Sequence, residues 1–165
     1  MNAQLTARLI IRMATEADVP EVLLLERATA TAPHWSLQDY ITAVRGVGVR
    51  RAVLVAAVGR VVDGFIVMRL AGDEAEIESV VVRVEARRQG LGSELCRAGV
   101  AWAAGEGAVL VDLEVRAGSA GAILLYMGLG FVMAGRRAGY YAEPMEDAVL
   151  MRRPLRGVGC TGGEA

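Results

Sequence analysis

Lysine is missing from this chain: all 18 of its basic residues are arginine. That excludes a Schiff-base lysine, a P-loop lysine and a lysine general base. Histidine occurs once, as His34, and cysteine twice, as Cys96 and Cys160. So few ligands cannot assemble a His/Cys zinc site or a disulfide framework, and no metal is expected. A Ser-His-Asp triad would have to recruit His34, and no Gly-x-Ser-x-Gly elbow exists to partner it. There is no uninterrupted apolar run near the ~20 residues that span a bilayer, and no basic-then-apolar start. The expectation is a cytoplasmic protein without a membrane partner. A net charge of −1 supplies no global drive toward nucleic acid, although local arginine clusters can still steer an acidic ligand.

Apolar residues make up 54% of the 165, more than enough to bury one core. The reading is one domain over 1–154, closed by Pro154, and a flexible glycine-rich tail over 155–165. Leu9 to Met13 reads as a first strand, and Thr15 to Asp18 as a helix start capped by Thr15. Val19, Val22, Leu23 and Leu25 to Ala28 suit a helix packed on a sheet. The loop TATAPHWS follows, then Ser36 and Asp39 open a second helix with Leu37, Tyr40, Ile41 and Val44 on one face. Ala52 to Val58, Gly64 to Leu70 and Glu76 to Val82 are strands joined by short turns at Gly59–Asp63 and Gly72–Asp73, which predicts an antiparallel meander.

A helix then runs to about Ala104, and Gly105 and Gly107 end it. Val109 to Val115 enters from that helix and should lie parallel to its neighbour. Another helix spans about Ser119 to Met127. Phe131 to Ala134 and Ala148 to Met151 complete the strands, with Arg136 to Asp147 as the loop between them. The resulting fold class is α/β (α+β): a mixed, mostly antiparallel sheet of six to seven strands flanked by about four helices.

The stretch IESVVVRVEARRQGLGSEL, Ile77 to Leu95, is strand, loop and helix. Gly90 and Gly92 remove side chains where helix-entrance N–H groups can close around an anion. The spacing Arg87-x-x-Gly90-x-Gly92 lacks the third glycine of a dinucleotide fingerprint and the Gly-Lys-Ser/Thr end of a P-loop. LEVRAGSAGAILLYMGLGF (Leu113 to Phe131) and GRRAGYY (Gly135 to Tyr141) follow in order.

Together these segments resemble the GNAT (GCN5-related N-acetyltransferase) superfamily, in particular its ribosomal-protein alanine N-acetyltransferase (RimI) branch. The similarity is strong from about Glu76 to Met151, weaker from Ile11 to Tyr40 and absent from the last dozen residues. The resemblance implies a splayed central strand pair, acetyl-CoA as cosubstrate, and direct transfer to the α-amine of a protein or peptide N-terminus. In the family case that is the N-terminal alanine of a small-subunit ribosomal protein. A small amine or a lysine side chain as acceptor, or a non-catalytic acyl-CoA-binding module, are the alternatives.

The matched positions carry roles. Glu114 corresponds to the base, acting through water, with Glu78 on the preceding strand as rival. Tyr126 corresponds to the acid that protonates the sulfur, apt for a phenol of pKa near ~10. Backbone groups of Val80, Val81 and Val82 would hold the carbonyl and pantetheine arm. The segment Arg87, Arg88, Gln89, Gly90, Leu91, Gly92 and Ser93 would hold the pyrophosphate. Ser119 stands where the family has asparagine, offering a hydroxyl but no amide. Trp35, with Pro33 and His34 beside it, and Tyr140 with Tyr141 would border the acceptor; His34 has no catalytic role.

Overall fold

In the second strand Ala52, Leu54 and Ala56 turn to one face while Val53, Val55 and Ala57 turn to the other, and all six are buried. A strand apolar on both faces needs cover on both sides. The structure, a computed structural model describing residues 8–155, supplies it. Its strands are β1 (Ile10–Met13), β2 (Arg50–Val58), β3 (Val61–Ala71), β4 (Glu74–Val82), β5 (Leu110–Arg116), β6 (Val132–Ala142) and β7 (Met145–Pro154). The helices are α1 (Val19–Arg27), α2 (Leu37–Arg45), α3 (Leu91–Gly105) and α4 (Ala120–Gly128). Helices α1 and α2 cover one face through Val22, Leu25, Tyr40 and Ala43, while α3 covers the other through Leu95, Val100 and Ala103. Gly99 lets α3 sit close, because a Cβ there would come within 2.7 Å of Met68 Sδ.

The seven strands order as β1-β2-β3-β4-β5-β7-β6, and only β4 and β5 pair in parallel. That pairing runs from Glu74↔Leu110 to Ile77↔Leu113 and stops. Beyond it β4 stays paired with β3 as far as Gly64↔Val82, and β5 with β7 as far as Arg116↔Ala148. The two central strands therefore part, as the expected splay requires. A bulge sits at the same place: Val67 faces Ser79 while Met68 faces Ile77, so Glu78 has no partner on β3. Ala75 and Ile77 belong to the α3-side core but Val81 to the α1-side core, so the extra residue reverses which side chains face which layer.

The expected loop from Arg136 to Asp147 is corrected. Arg136 to Ala142 continues β6, and β7 begins at Met145, pairing from Val132↔Arg152 to Ala142↔Met145. Residues Val132 to Tyr140 are all exposed, so an edge strand here has no alternating apolar signal to read. Backbone pairing makes it, helped by Asp147, whose carboxylate accepts from Arg136 Nε at 2.7 Å and from the Gly139 N–H at 2.9 Å. Ser36 caps α2 as expected, accepting from the Asp39 N–H at 3.1 Å. At Thr15 the roles invert: its N–H and hydroxyl donate to Asp18 at 2.7 and 3.1 Å. The tail expected over 155–165 lies outside the described residues except for Leu155, whose N–H bonds to the Val109 carbonyl at 2.9 Å.

Candidate active site

Where β4 and β5 part, they floor a cavity of about 580 Å³. Its roof is the connection from α1 to α2, residues Thr29 to Pro33 and Trp35; its far side is the β6–β7 hairpin with Tyr140 and Tyr141; α4 closes the end with Ser119, Ala122 and Tyr126. Trp35, Glu78, Val80, Val81, Glu114, Ser119, Tyr126, Tyr140 and Tyr141 thus meet in one space. His34 adopts φ 56° in the roof, a left-handed conformation uncommon for a non-glycine residue, just before Trp35. A smaller cavity of about 240 Å³ adjoins it, with Glu76, Leu113 and Glu114 bordering both.

Alternation along β5 buries Val111, Leu113 and Val115 in the α3-side core and turns Asp112, Glu114 and Arg116 to the opposite face. Glu114 meets Nη1 of Arg137, a side chain that is 55% exposed, at 3.4 Å, and accepts a hydrogen bond from the Tyr140 phenol. The guanidinium of Arg137 lies 5.4 Å from the Tyr140 ring centre, and the carboxylate of Glu114 raises the Tyr140 phenol above its ordinary pKa. Tyr141 packs edge-on against Tyr140 at 5.1 Å with Arg116 over its face at 4.1 Å. Arg116 also reaches Glu146 at 3.6 Å.

Glu78, on the bulge, is held more completely. Arg51 Nε donates to Glu78 Oε2 at 2.7 Å and Arg51 Nη2 to Oε1 at 3.1 Å, while Arg69 Nε lies 3.5 Å from Oε1. The same Arg51 guanidinium stacks 4.9 Å from the Trp35 ring centre. Hydrogen bonding to Glu78 raises the pKa of Arg51.

Tyr126 is half-buried on α4, edge-on to Phe131 at 5.8 Å. Burial raises its phenol well above the ordinary value, so it is protonated at neutral pH. Cys96 in α3 is buried, which pushes its thiol up to about 12 and leaves it unreactive.

Val82 and the segment Arg87 to Ser93 stand outside the cavity, at the entrance to α3. Arg88 at φ 61° and Gly90 at φ 80° turn the chain into the helix, and no side chain caps it. The first-turn N–H groups of Leu91, Gly92 and Ser93 have no backbone partner at the positive end of the helix. Such a helix entrance can cradle an anion. Arg87 donates to the Val82 carbonyl at 3.1 Å, tying the cradle to the end of β4. Gly92 faces α4, where a Cβ would lie 3.6 Å from Leu125, the residue before Tyr126. The Ser119 side chain makes no capping bond at α4; instead the Glu146 carboxylate accepts from the Gly118 N–H at 2.6 Å.

Sequence reading missed Arg51 and Glu146. Each acts across 27 or 28 positions of chain, which no local pattern encodes. Arg136 and Arg137 lie within GRRAGYY, whose sequence gives neither of them a role.

Known proteins share this fold. The [ribosomal protein bS18]-alanine N-acetyltransferase of Salmonella typhimurium is 38% identical over 93 residues, 55% of this chain and 63% of that protein. The match with that curated relative thus spans under two-thirds of its length. The crystal structure of the ribosomal-protein-S18-alanine N-acetyltransferase from Escherichia coli superposes with TM-score 0.81 at 28% identity, covering 95% of this chain and 100% of that one. Ard1 from Thermoplasma volcanium gives TM-score 0.77 at 26% identity, covering 90% and 99%. Residues 23–131, well over half of the chain, match the acetyltransferase (GNAT) family, and the chain belongs to that family.

Proposed function

We propose that this protein is an acetyl-CoA-dependent N-acetyltransferase acting on the α-amine of a polypeptide N-terminus, with the N-terminal alanine of a small-subunit ribosomal protein as the acceptor its named relatives suggest. The observation that carries the reading is the meeting of Glu114 and Tyr126 in one cavity at the parted strands. A polypeptide acceptor is favoured over a small amine because the cavity continues past Glu114 into a second one. Its aromatic walls, Trp35 on one side and Tyr140 with Tyr141 on the other, suit an extended chain between them.

The residues present fit acetyl-CoA: an uncapped helix entrance with two left-handed residues for its pyrophosphate, and unpaired strand edges beyond Ile77 and Leu113 for its arm. When bound, acetyl-CoA supplies the thioester acetyl group. The amides of Arg88 to Gly92 and the Arg87 guanidinium hold the pyrophosphate, each charge-assisted bond contributing about 1.5–3 kcal/mol. Backbone groups along Val80 to Val82 receive the arm and orient the carbonyl. Glu114 takes the proton of the amine, through water, as nitrogen bonds to the acetyl carbon. Tyr126 gives its Oη proton to sulfur as the carbon–sulfur bond breaks. No covalent enzyme intermediate is needed, which agrees with a chain so poor in nucleophile and base pairs.

Thiol release from acetyl-CoA tests this with three acceptors offered in parallel: a hexapeptide beginning with alanine, the same peptide N-terminally blocked and carrying lysine, and a polyamine panel. Turnover on the free α-amine alone is the expected result. Turnover only on lysine or polyamines, or silence on all three with acetyl-CoA still bound by calorimetry, overturns it.

A further inference from the structure

A carboxylate can serve as base only if an oxygen lone pair is open to the amine or to the water relaying its proton. Three carboxylates line this cavity: Glu76 lies where β4 and β5 are still paired and is bound by Arg69 at 2.6 and 3.2 Å, while Glu78 and Glu114 stand on the two strands where they part. Both oxygens of Glu78 are engaged by the Arg51 fork, at 2.7 and 3.1 Å, with Arg69 adding a third approach at 3.5 Å. The Glu78 side chain is only 15% exposed and Arg51 25%. The fork is itself held by Trp35, stacked on the guanidinium from the roof. The bulge puts Glu78 there, since it is the residue of β4 without a cross-strand partner. Glu114 is approached by the Arg137 guanidinium at 3.4 Å without a forked pair, and its other neighbour is the neutral phenol of Tyr140, which donates a hydrogen bond to it.

We propose that Arg51 is a positioning residue that withholds Glu78 from proton transfer and so assigns the base to Glu114; Glu78 is a second, latent base. The proposal rests on the acetyltransferase reading. A planar fork can occupy both oxygens and stack on an indole at once, while a point charge can do only one of these.

The test measures kcat and KM for the alanine-first hexapeptide in a Glu114→Gln background. Glu114→Gln with Arg51→Met is expected to regain at least fivefold in kcat over Glu114→Gln alone, and adding Glu78→Gln to that pair removes the gain. Arg51→Lys in place of Arg51→Met keeps a charge but loses the fork, and regains less. With Arg51 intact, adding Glu78→Gln to Glu114→Gln lowers kcat no more than about threefold further, since a withheld carboxylate has little left to lose. That last arm needs no change at Arg51, so it decides the matter even if the methionine variant fails to fold. No gain in the folded double variant, or a tenfold further loss with Arg51 intact, overturns the proposal while wild-type turnover leaves the function standing. A wild-type enzyme silent on every amine overturns the function, and this assignment with it.

Discussion

Two walls border the parted strands, and each combines an aromatic ring, a guanidinium and a carboxylate. On the roof side Trp35, Arg51 and Glu78 close into a two-pronged pair with a stacked ring; on the hairpin side Arg137 approaches Glu114 at 3.4 Å without a fork, and the Tyr140 phenol donates a hydrogen bond to the same carboxylate. Arg137 is 55% exposed where Arg51 is 25% exposed, so solvent screens the second wall far more than the first. An exposed single contact contributes about 0–1 kcal/mol and breaks readily. In the proposed reading the same three chemical parts make a brace when the geometry is closed and a proton acceptor when it is left open.

The most direct way to break this comparison is to remove each carboxylate in turn. Glu114→Gln is expected to lower kcat/KM at least 100-fold, about 2.7 kcal/mol of barrier, within the range a general base supplies. Glu78→Gln should lose no more than about fivefold, chiefly through acceptor KM as the roof loosens. Initial rates over a range of acceptor concentrations separate the two. Equal losses would show that the walls do not divide the work, and a larger loss at Glu78 would reverse their roles.

Next in size is Tyr126→Phe, which leaves both walls intact and removes only the proton held at the end of the cavity. A loss of at least tenfold in kcat, about 1.4 kcal/mol, with acetyl-CoA affinity unchanged by calorimetry, is the expected outcome. Turnover equal to wild type would remove Tyr126 as the acid. Smaller again is Trp35→Leu, which takes the ring from Arg51. Acceptor KM should rise about threefold while the KM for acetyl-CoA stays put, because the cradle at α3 lies elsewhere.

What the chain discloses by reading alone follows the same division between local and distant. The run of three valines, the Gly90-x-Gly92 helix entrance and the alternation about Glu114 are contiguous, so strand, cradle and carboxylate face were legible from spacing. The strand count and the parallel β4–β5 pair followed from alternation and from which segment a helix precedes. The bulge at Glu78 was not legible, because a one-residue slip leaves the same apolar letters in place and changes only which face they meet. Nor was the reach of β6 through Arg136 to Ala142, an edge strand without a buried residue. The Arg51 fork was hidden for a third reason: its partner is 27 residues away, and arginines are too numerous here for one to stand out.

The smallest effect on turnover is expected where the fork recurs away from the cavity. Arg12 binds Asp18 at 2.7 and 2.9 Å, and with the Thr15 donors this holds the Asp18 carboxyl down from its ordinary 3.8 to about 2. A carboxylate with a depressed pKa stabilises the fold above its unfolded value, and that contribution is lost as pH falls from about 4 through 2. The shift corresponds to roughly 2 kcal/mol at neutral pH. Asp18→Asn should therefore lower the urea-unfolding free energy by about 1–2 kcal/mol at pH 7, while kcat stays within twofold of wild type. At pH 3 the gap between variant and wild type should narrow, since wild-type Asp18 is by then giving up its contribution. A fork that stabilises without touching turnover would mark the brace as the ordinary use of this geometry, and Arg51 as the place where a brace also decides which carboxylate is left free to react.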